Sequence, residues 1–275
     1  MPFGRDGAAD RVARAFGGSL AAGAIVIENI PGGGGLAGVS RANALAAQGE
    51  PTLLLATPTT HVLLPLQRGA EGAPSEAFVP LASLGSAPNV LLASARLGVR
   101  DVRSLVERAK REHLRYASAG AGQTIHLCTE LFCRQAGIVM EHRPYDAGSA
   151  TAYADIAAGR VHVYFDNALA CDGAIASGIV VPLAVSSHER APSLPSVPML
   201  GECGFPGHAL DIWFGVFGAN VDPAMGARIL SAIADPATGT RLAATGLCGG
   251  VQDGTSLARI VEASRAAWRA ALAAA

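Results

Sequence analysis

The sequence predicts an α/β fold, and three observations carry that prediction. Strand-like and helix-like segments alternate nearly from end to end. The apolar runs are short, and the 33 glycines gather at their ends instead of following a collagen period. Half of the residues are hydrophobic and only 16% are charged, a balance that excludes a disordered chain. Alternation of this kind implies a doubly wound architecture. The 275 residues suffice for one large domain or for two lobes with cores of their own.

The elements follow in order. Ile25-Val26-Ile27 reads as a short buried strand, and the Ala-rich stretch from Leu36 to Ala47 as a helix. Thr52 to Ala56 is a strand whose unbroken Leu53, Leu54 and Leu55 fit a parallel sheet covered on both faces. Val90 to Ala93 repeats that pattern. Asp101 to Glu112 is an amphipathic helix with Asp101 at its N-cap. A short strand closes at Tyr116, Gly120 and Gly122 mark a turn, and Thr124 to Ala136 is helical. Val161 to Phe165 and Val180 to Val185 are further strands. Asp253 to Ala275 is a long helix carrying Leu257, Ile260, Val261 and Trp268.

Charge and cysteine usage remove whole classes of function. A formal net charge of -1 with scattered Lys and Arg gives no attraction for nucleic acid or an anionic membrane. No apolar run reaches the ~18 residues of a membrane helix. The chain opens Met1-Pro2-Phe3-Gly4-Arg5 without an apolar signal region. It reads as cytosolic or as a chain whose signal is absent from this sequence. None of the five cysteines forms a CxxC pair or has zinc-ligand spacing, so no metal is expected. Cys128 and Cys133 point more than a right angle apart on one helix, and the cysteines read as buried small hydrophobes.

In doubly wound sheets, ligands bind outside the carboxyl ends of strands, where loops meet helix N-termini. Ser118-Ala119-Gly120-Ala121-Gly122-Gln123-Thr124 is the clearest such segment. Its small residues allow close approach to the backbone. The helix that follows offers free N–H groups and a positive dipole end to a carboxylate or phosphate. The alternative is a tight turn with no ligand. Phe3, Gly4, Arg5, Asp6 and Gly7 precede a second helix. There Arg5 is either a bidentate partner for a carboxylate or a solvated surface charge. Thr57, Thr59, Thr60 and His61 supply hydroxyls and an imidazole after the Leu53 to Ala56 strand, for a ligand or for a helix cap. Asp166 and Asn167 end another apolar strand, where the acid either meets a ligand donor or caps the next helix.

Gly33-x-Gly35-x-x-Gly38 satisfies the dinucleotide fingerprint as a string. Pro31 lies between the preceding strand and this string, and the next strand ends without the acid that would hold a ribose, so the glycines read as a close turn. No GxSxG, HExxH or GxxxxGK[ST] is present.

In order and spacing, these segments resemble the Bug family, the substrate-binding proteins of tripartite tricarboxylate transporters. The resemblance rests on Val26-Ile27-Glu28-Asn29 followed by Pro31-Gly32, on Leu53-Leu54-Leu55, and on Tyr116-Ala117-Ser118-Ala119-Gly120. It continues through Pro144-Tyr145, Gly159-Arg160-Val161, Phe165-Asp166-Asn167 and Leu194-Pro195-Ser196-Val197-Pro198. Gly204-Phe205-Pro206-Gly207 and Trp213-Phe214-Gly215 complete it.

The resemblance implies a two-lobed periplasmic binding protein fold (type II-like) that closes by hinge motion on a ligand in the cleft between its lobes. Lobe 1 would be 1–89 with 216–275 and lobe 2 would be 90–215, with crossings near 88–92 and 213–217. A small carboxylate would sit between the Phe3 and Ser118 loops. Its far end would meet Thr57 to His61, the segment with Tyr145, Asp146, Gly148 and Ser149, and Asp166. No cofactor is implied. A membrane permease or a sensor would be the partner of a monomeric, periplasmic protein. An enzyme acting on a small carboxylate, with Asp166 and His61 as its pair, is the alternative, followed by a dinucleotide-binding protein.

The sequence departs from the family pattern in three places. Only Met1 precedes the Pro-Phe pair, where the family has several apolar residues, so the start reads as truncated or misassigned. Arg5-Asp6-Gly7 replaces a Pro-Gly-Gly type turn. Asp146-Ala147 replaces a basic residue and glycine, which disfavours a polyanion such as citrate. Asp146→Lys is therefore expected to move ligand preference towards polyanions in a binding assay with mono- and tricarboxylates; an unchanged preference contradicts this reading.

Overall fold

The computed structural model describes residues 1–5, 7–20, 25–145, 149–206, 208 and 210–273. Its strands are β1 (Thr52–Ala56), β2 (Val79–Ala87), β3 (Asn89–Ser94), β4 (Arg115–Ser118), β5 (Glu141–Pro144), β6 (Val163–Asn167), β7 (Val180–Val185), β8 (Ile212–Ala219) and β9 (Gln252–Asp253). Its helices are α1 (Ala8–Gly17), α2 (Leu36–Ala47), α3 (Leu64–Arg68), α4 (Val102–Ala109), α5 (Thr124–Ala136), α6 (Ser149–Ala157), α7 (Asp172–Ala176), α8 (Pro223–Ala234), α9 (Pro236–Ala243) and α10 (Gly254–Ala273).

The chain packs as two compact units, Met1–Ser86 with Trp213–Ala266 and Ala87–Ile212 with Ala267–Ala275. The final residues were expected in the first lobe. They fall in the second unit, where the Arg134 guanidinium donates to the Ala271 carbonyl at 3.3 Å.

The first unit holds a sheet of order β1-β8-β2-β9. β1 runs antiparallel to β8, with Leu54 opposite Phe217. The leucine run had pointed to a parallel sheet. It instead reflects cover on both faces, since Leu54 and Leu55 are buried and Leu53 half-buried whatever the pairing direction. Ile25 to Ile27 form no strand, and Val26 is 88% exposed. The β-branched residues have the propensity, but a strand also needs a ladder. The nearby backbone bond that is made runs from Ile30 N–H to the Met1 carbonyl, 2.9 Å.

The glycine run packs the chain start closely. Gly35 has φ +99°, and a Cβ on Gly38 would lie 2.4 Å from Pro2 Cα. That contact explains the glycine spacing without a phosphate ligand.

The second unit holds a sheet of order β5-β4-β6-β3-β7. β4 is parallel to both β5 and β6, whereas β3 is antiparallel to β6 and β7. One edge, β5, carries Glu141 paired with His113, Arg115 and Arg143, a charged rim that discourages further strand addition. The other edge, β7, tolerates Pro182, and the register shifts between Leu91 and Leu92 beside it. Asp101 caps α4 in a reciprocal box with Ser104, though the helix ends at Ala109, earlier than expected. Cys128, Cys133 and Cys171 are buried free thiols, each pushed up to about 12 chiefly by burial.

Each core also buries a histidine. Burial, with the Arg265 charge, pushes His61 down to about 3, and burial pushes His208 down to about 4. Both are lowered bases, so the unfolded chain takes up protons first. Their stabilisation is complete above the ordinary histidine value and is lost as pH falls from there towards 4 and 3.

Two outcomes are expected. Gly38→Ala should lower unfolding free energy by about 1–3 kcal/mol in urea titrations, because backbone must move to admit the methyl; wild-type stability would contradict the close approach. Stability should also fall between about pH 6.5 and 5, by roughly 1–2 kcal/mol per buried histidine. Asp211, raised by burial, acts in the opposite sense, so the shallower slope expected of His208→Asn isolates that histidine's share. An unchanged slope in His208→Asn contradicts the assignment.

Candidate functional site

In the second unit, parallel pairing places the carboxyl ends of β5, β4 and β6 side by side. Three of the predicted segments leave from there: Ser118 to Thr124, the segment after Tyr145, and Asp166-Asn167. Tyr145 N–H donates to the Ser118 carbonyl at 2.8 Å, which joins the first two. Asp146 and Gly148 lie outside the described residues.

The Ser118 loop leads into α5, whose N-cap residue is Gln123. The Gln123 side chain does not cap the helix; its amide donates to the Ala119 carbonyl at 2.6 Å. The first-turn amides therefore have no side-chain cap, and the positive end of a 13-residue helix opens on Gly120 and Gly122. Gly120 and Gly122 have φ of +131° and +77°. Ser118 is buried, and its Oγ accepts from Gly120 N–H at 3.1 Å and meets His142 Nε2 at 2.6 Å. A hydroxyl–imidazole pair of this kind has the reach of a nucleophile and base. Here the hydroxyl is fully buried and turned back on its own loop, an arrangement that fixes a turn. His126 and His142, which sequence reasoning passed over, hold this loop; they are 16 residues apart in sequence, and no motif marks them.

Asp166 is engaged by its own unit. Its carboxylate accepts from the Tyr153 hydroxyl (2.8 Å), the Asn167 N–H (2.8 Å) and the Ser149 hydroxyl (3.5 Å). Burial first, then this carboxylate, raises the Tyr153 hydroxyl. Asn167 Oδ1 accepts from Leu169 N–H at 2.9 Å. The Tyr145 hydroxyl donates to Asp155 at 2.7 Å, and its pKa is pushed up to about 12, chiefly by burial.

In the first unit, Phe3 and Thr60 meet across Gly35, where an added Cβ would lie 3.0 Å from Thr60 Cγ2 and 3.7 Å from Phe3 Cε1. Gly7 is the N-cap of α1 and offers no side chain to it; Gly4 and Arg5 are exposed, and Asp6 lies outside the described residues. The loop is held from outside. Asn29 donates to the Phe3 carbonyl (3.2 Å), the Gly4 carbonyl (3.3 Å) and Asp10 (2.8 Å), and Arg14 pairs with Asp10 at 2.9 Å. Thr57, Thr59, Thr60 and His61 are all buried, in a turn that widens to a π-helix from Thr59 to Leu63. Thr60 Oγ1 meets His61 Nδ1 at 3.0 Å, and the His61 ring lies 4.2 Å from that of Phe217. Thr57 Oγ1 and His61 Nε2 have no hydrogen-bond partner among the described residues.

A cavity of about 340 Å³ in this unit lies elsewhere, lined by Phe16, Ile25, Val26, Leu53, Leu55 and Val216 among others. None of the predicted site residues lines it. Among the described residues, no group of His, Cys, Asp and Glu is placed to hold a metal ion, and no helix is long and apolar enough to cross a membrane.

Comparison with known proteins agrees with the fold. The model of the tripartite tricarboxylate transporter family receptor, TctC, matches residues 9–272. A UPF0065 protein from the tcbD–tcbE intergenic region of Pseudomonas sp. strain P51 is 31% identical over 252 residues, covering 86% of this chain and 73% of that one. BugT of Bordetella pertussis is 31% identical over 227 residues, 78% of this chain and 68% of its own. Among solved structures, R. palustris Rpa4515 with adipate superimposes with a TM-score of 0.86 at 29% identity, over 100% of this chain and 95% of that one. MatC from Rhodopseudomonas palustris with bound malate gives 0.83 at 25% identity, over 98% and 96%. The periplasmic binding protein BugD gives 0.84 at 25%, over 97% and 93%. The fold is thus that of the two-lobed periplasmic binding proteins, and the chain belongs to the tripartite tricarboxylate transporter receptor family.

Proposed function

We propose that this protein captures a small carboxylate in the periplasm and delivers it, chemically unchanged, to a membrane permease or a sensor. The observation that carries this reading is the start of α5: an N-terminus without a side-chain cap, on a loop of small residues, at the carboxyl ends of three parallel strands. The backbone amides of Ala121, Gln123 and Thr124 would receive the carboxylate oxygens, while the Gly120 and Gly122 N–H groups are held by Ser118 and His126. The start of α1 after Phe3 to Gly7 is assigned the same role within its own unit. Thr57 Oγ1 and His61 Nε2 are buried polar atoms without a partner among the described residues, and such atoms normally find one; a ligand hydroxyl or carboxyl oxygen would serve. The family membership and the ligands named for Rpa4515 and MatC, adipate and malate, support a carboxylate over a nucleotide. The protein acts as a monomer.

Micromolar capture corresponds to about −8 kcal/mol, within reach of several amide contacts and modest apolar burial. A thermal-shift panel of mono-, di- and tricarboxylates including adipate and malate, amino acids, aromatic acids and dinucleotides tests the assignment. A carboxylate at about 100 times its dissociation constant should stabilise the protein by roughly 2.7 kcal/mol and be recovered intact. Stabilisation by a dinucleotide alone, or turnover of the bound acid, overturns the reading.

A further inference from the structure

The Ser118–Thr124 loop is fastened by two imidazoles that belong to other elements. His142 on β5 meets Ser118 Oγ at 2.6 Å. His126, in the first turn of α5, accepts the Gly122 N–H on Nδ1 at 3.2 Å. The rings of His126, His142 and Tyr116 form one cluster, with the two imidazoles tilted by 44° to each other. His126 and His142 are 4.3 Å apart between centroids, and Tyr116 of β4 stacks on His142 at 5.0 Å and on His126 at 6.3 Å.

The bond to Gly122 has a protonation requirement. An imidazole nitrogen that accepts an N–H must carry no proton, so neutral His126 keeps its proton on Nε2. A second proton has only Nδ1 to occupy, where it would point at the Gly122 N–H. The bond then breaks whichever tautomer His142 holds. Gly122 sits at φ +77°, so its place in the loop depends on its partners more than on local preference.

Among the described residues, Glu130, Tyr116 and His142 are the titratable groups beside His126. Glu130, one turn along α5, favours its protonated form, and Tyr116 binds Glu130 through its hydroxyl. His142 is the second base in the cluster. Its strand neighbours Glu141 and Arg143 pair with each other at 2.5 Å, and strand alternation puts them on the other face of β5. Burial outweighs Glu130 and lowers His126 below the ordinary histidine value, so near neutral pH the clamp is closed.

We propose that His126 is a positioning residue for this loop, and that its protonation breaks the bond to the Gly122 N–H and weakens carboxylate binding. The binding half of the inference rests on the function proposed above; the breaking of that bond does not.

Two measurements separate these halves. In amide NMR of the whole chain from about pH 7.5 to 4.5, the Gly122 N–H should lose its hydrogen-bonded shift and exchange protection in step with the His126 ring titration. Absence of that joint titration overturns the proposal whether or not any ligand is known. Calorimetry with adipate and with malate over the same range should show affinity falling about five- to tenfold as His126 protonates, the worth of one lost hydrogen bond. His126→Asn places a non-titrating oxygen where Nδ1 stands and should bind with a flatter pH profile. His126→Ala lacks the acceptor and should bind weakly throughout.

An affinity that rises on acidification would mean that added positive charge outweighs the loss of that bond, and would overturn the proposal. So would an Asn variant that keeps the wild-type slope. If neither acid binds at any pH while Gly122 still titrates with His126, the ligand class is wrong and the clamp stands.

Discussion

Parallel pairing of β5, β4 and β6 is the constraint on which the candidate site depends. Parallel strands all end on the same edge of a sheet, whereas antiparallel neighbours end on opposite edges. Three consecutive parallel neighbours therefore deliver three loops to one place. β3 on their flank runs the other way and contributes its start there instead, at Asn89 opposite Asn167. Had β4 paired antiparallel with β5, Tyr145 could not reach the Ser118 carbonyl; had it paired so with β6, Asp166 would leave from the opposite edge.

The loops so gathered are built of small residues. Ser118 and Gln123 bond back to the Ser118 loop's own backbone, and polar side chains on neighbouring elements complete the support. His126 and His142 hold Ser118 to Gly122, while Tyr153 and Ser149 fix Asp166. In the first unit Asn29 and Arg14 do the equivalent work for Phe3 and Gly4 through Asp10. Buried polar groups satisfied in this way rigidify the backbone without placing bulk beside it. That leaves the starts of α1 and α5 without a side-chain cap.

Much of this was legible in the sequence, and the gaps have physical causes. Periodicity and composition locate α2, α5, β1 and β7 to the residue, because each is bounded by glycine, proline or a polar cap. Pairing direction was not legible: Leu53 to Leu55 record burial on both faces, and β1 achieves that burial in an antiparallel pair. Ile25 to Ile27 have strand propensity, but propensity cannot supply a ladder. Within the site, the Ser118 loop announces itself through small residues before an amphipathic helix. His126 reaches Gly122 across one turn at the start of α5, whereas His142, 24 positions from Ser118, meets it only through the β4–β5 register, in which Tyr116 faces His142. Asp166 was visible as an acid at a strand end, but its choice of Tyr153 and Ser149 as partners depends on how α6 packs on β6.

A carboxylate held by backbone amides is held differently from one in an arginine clamp. An ion pair formed in a buried place must recover the desolvation of two charges, and its strength changes steeply with small displacements. Amides at a helix start are already oriented by the helix, carry only partial charge and cost little to expose again. Such a site gains affinity from geometry and releases its ligand when the geometry is disturbed. The described residues of the Ser118 loop contain no Arg or Lys, and His126 is uncharged when it holds Gly122. A protein that must both capture a carboxylate and surrender it is well served by control placed in the loop's supports, where one proton on one nitrogen can alter the shape of the whole loop.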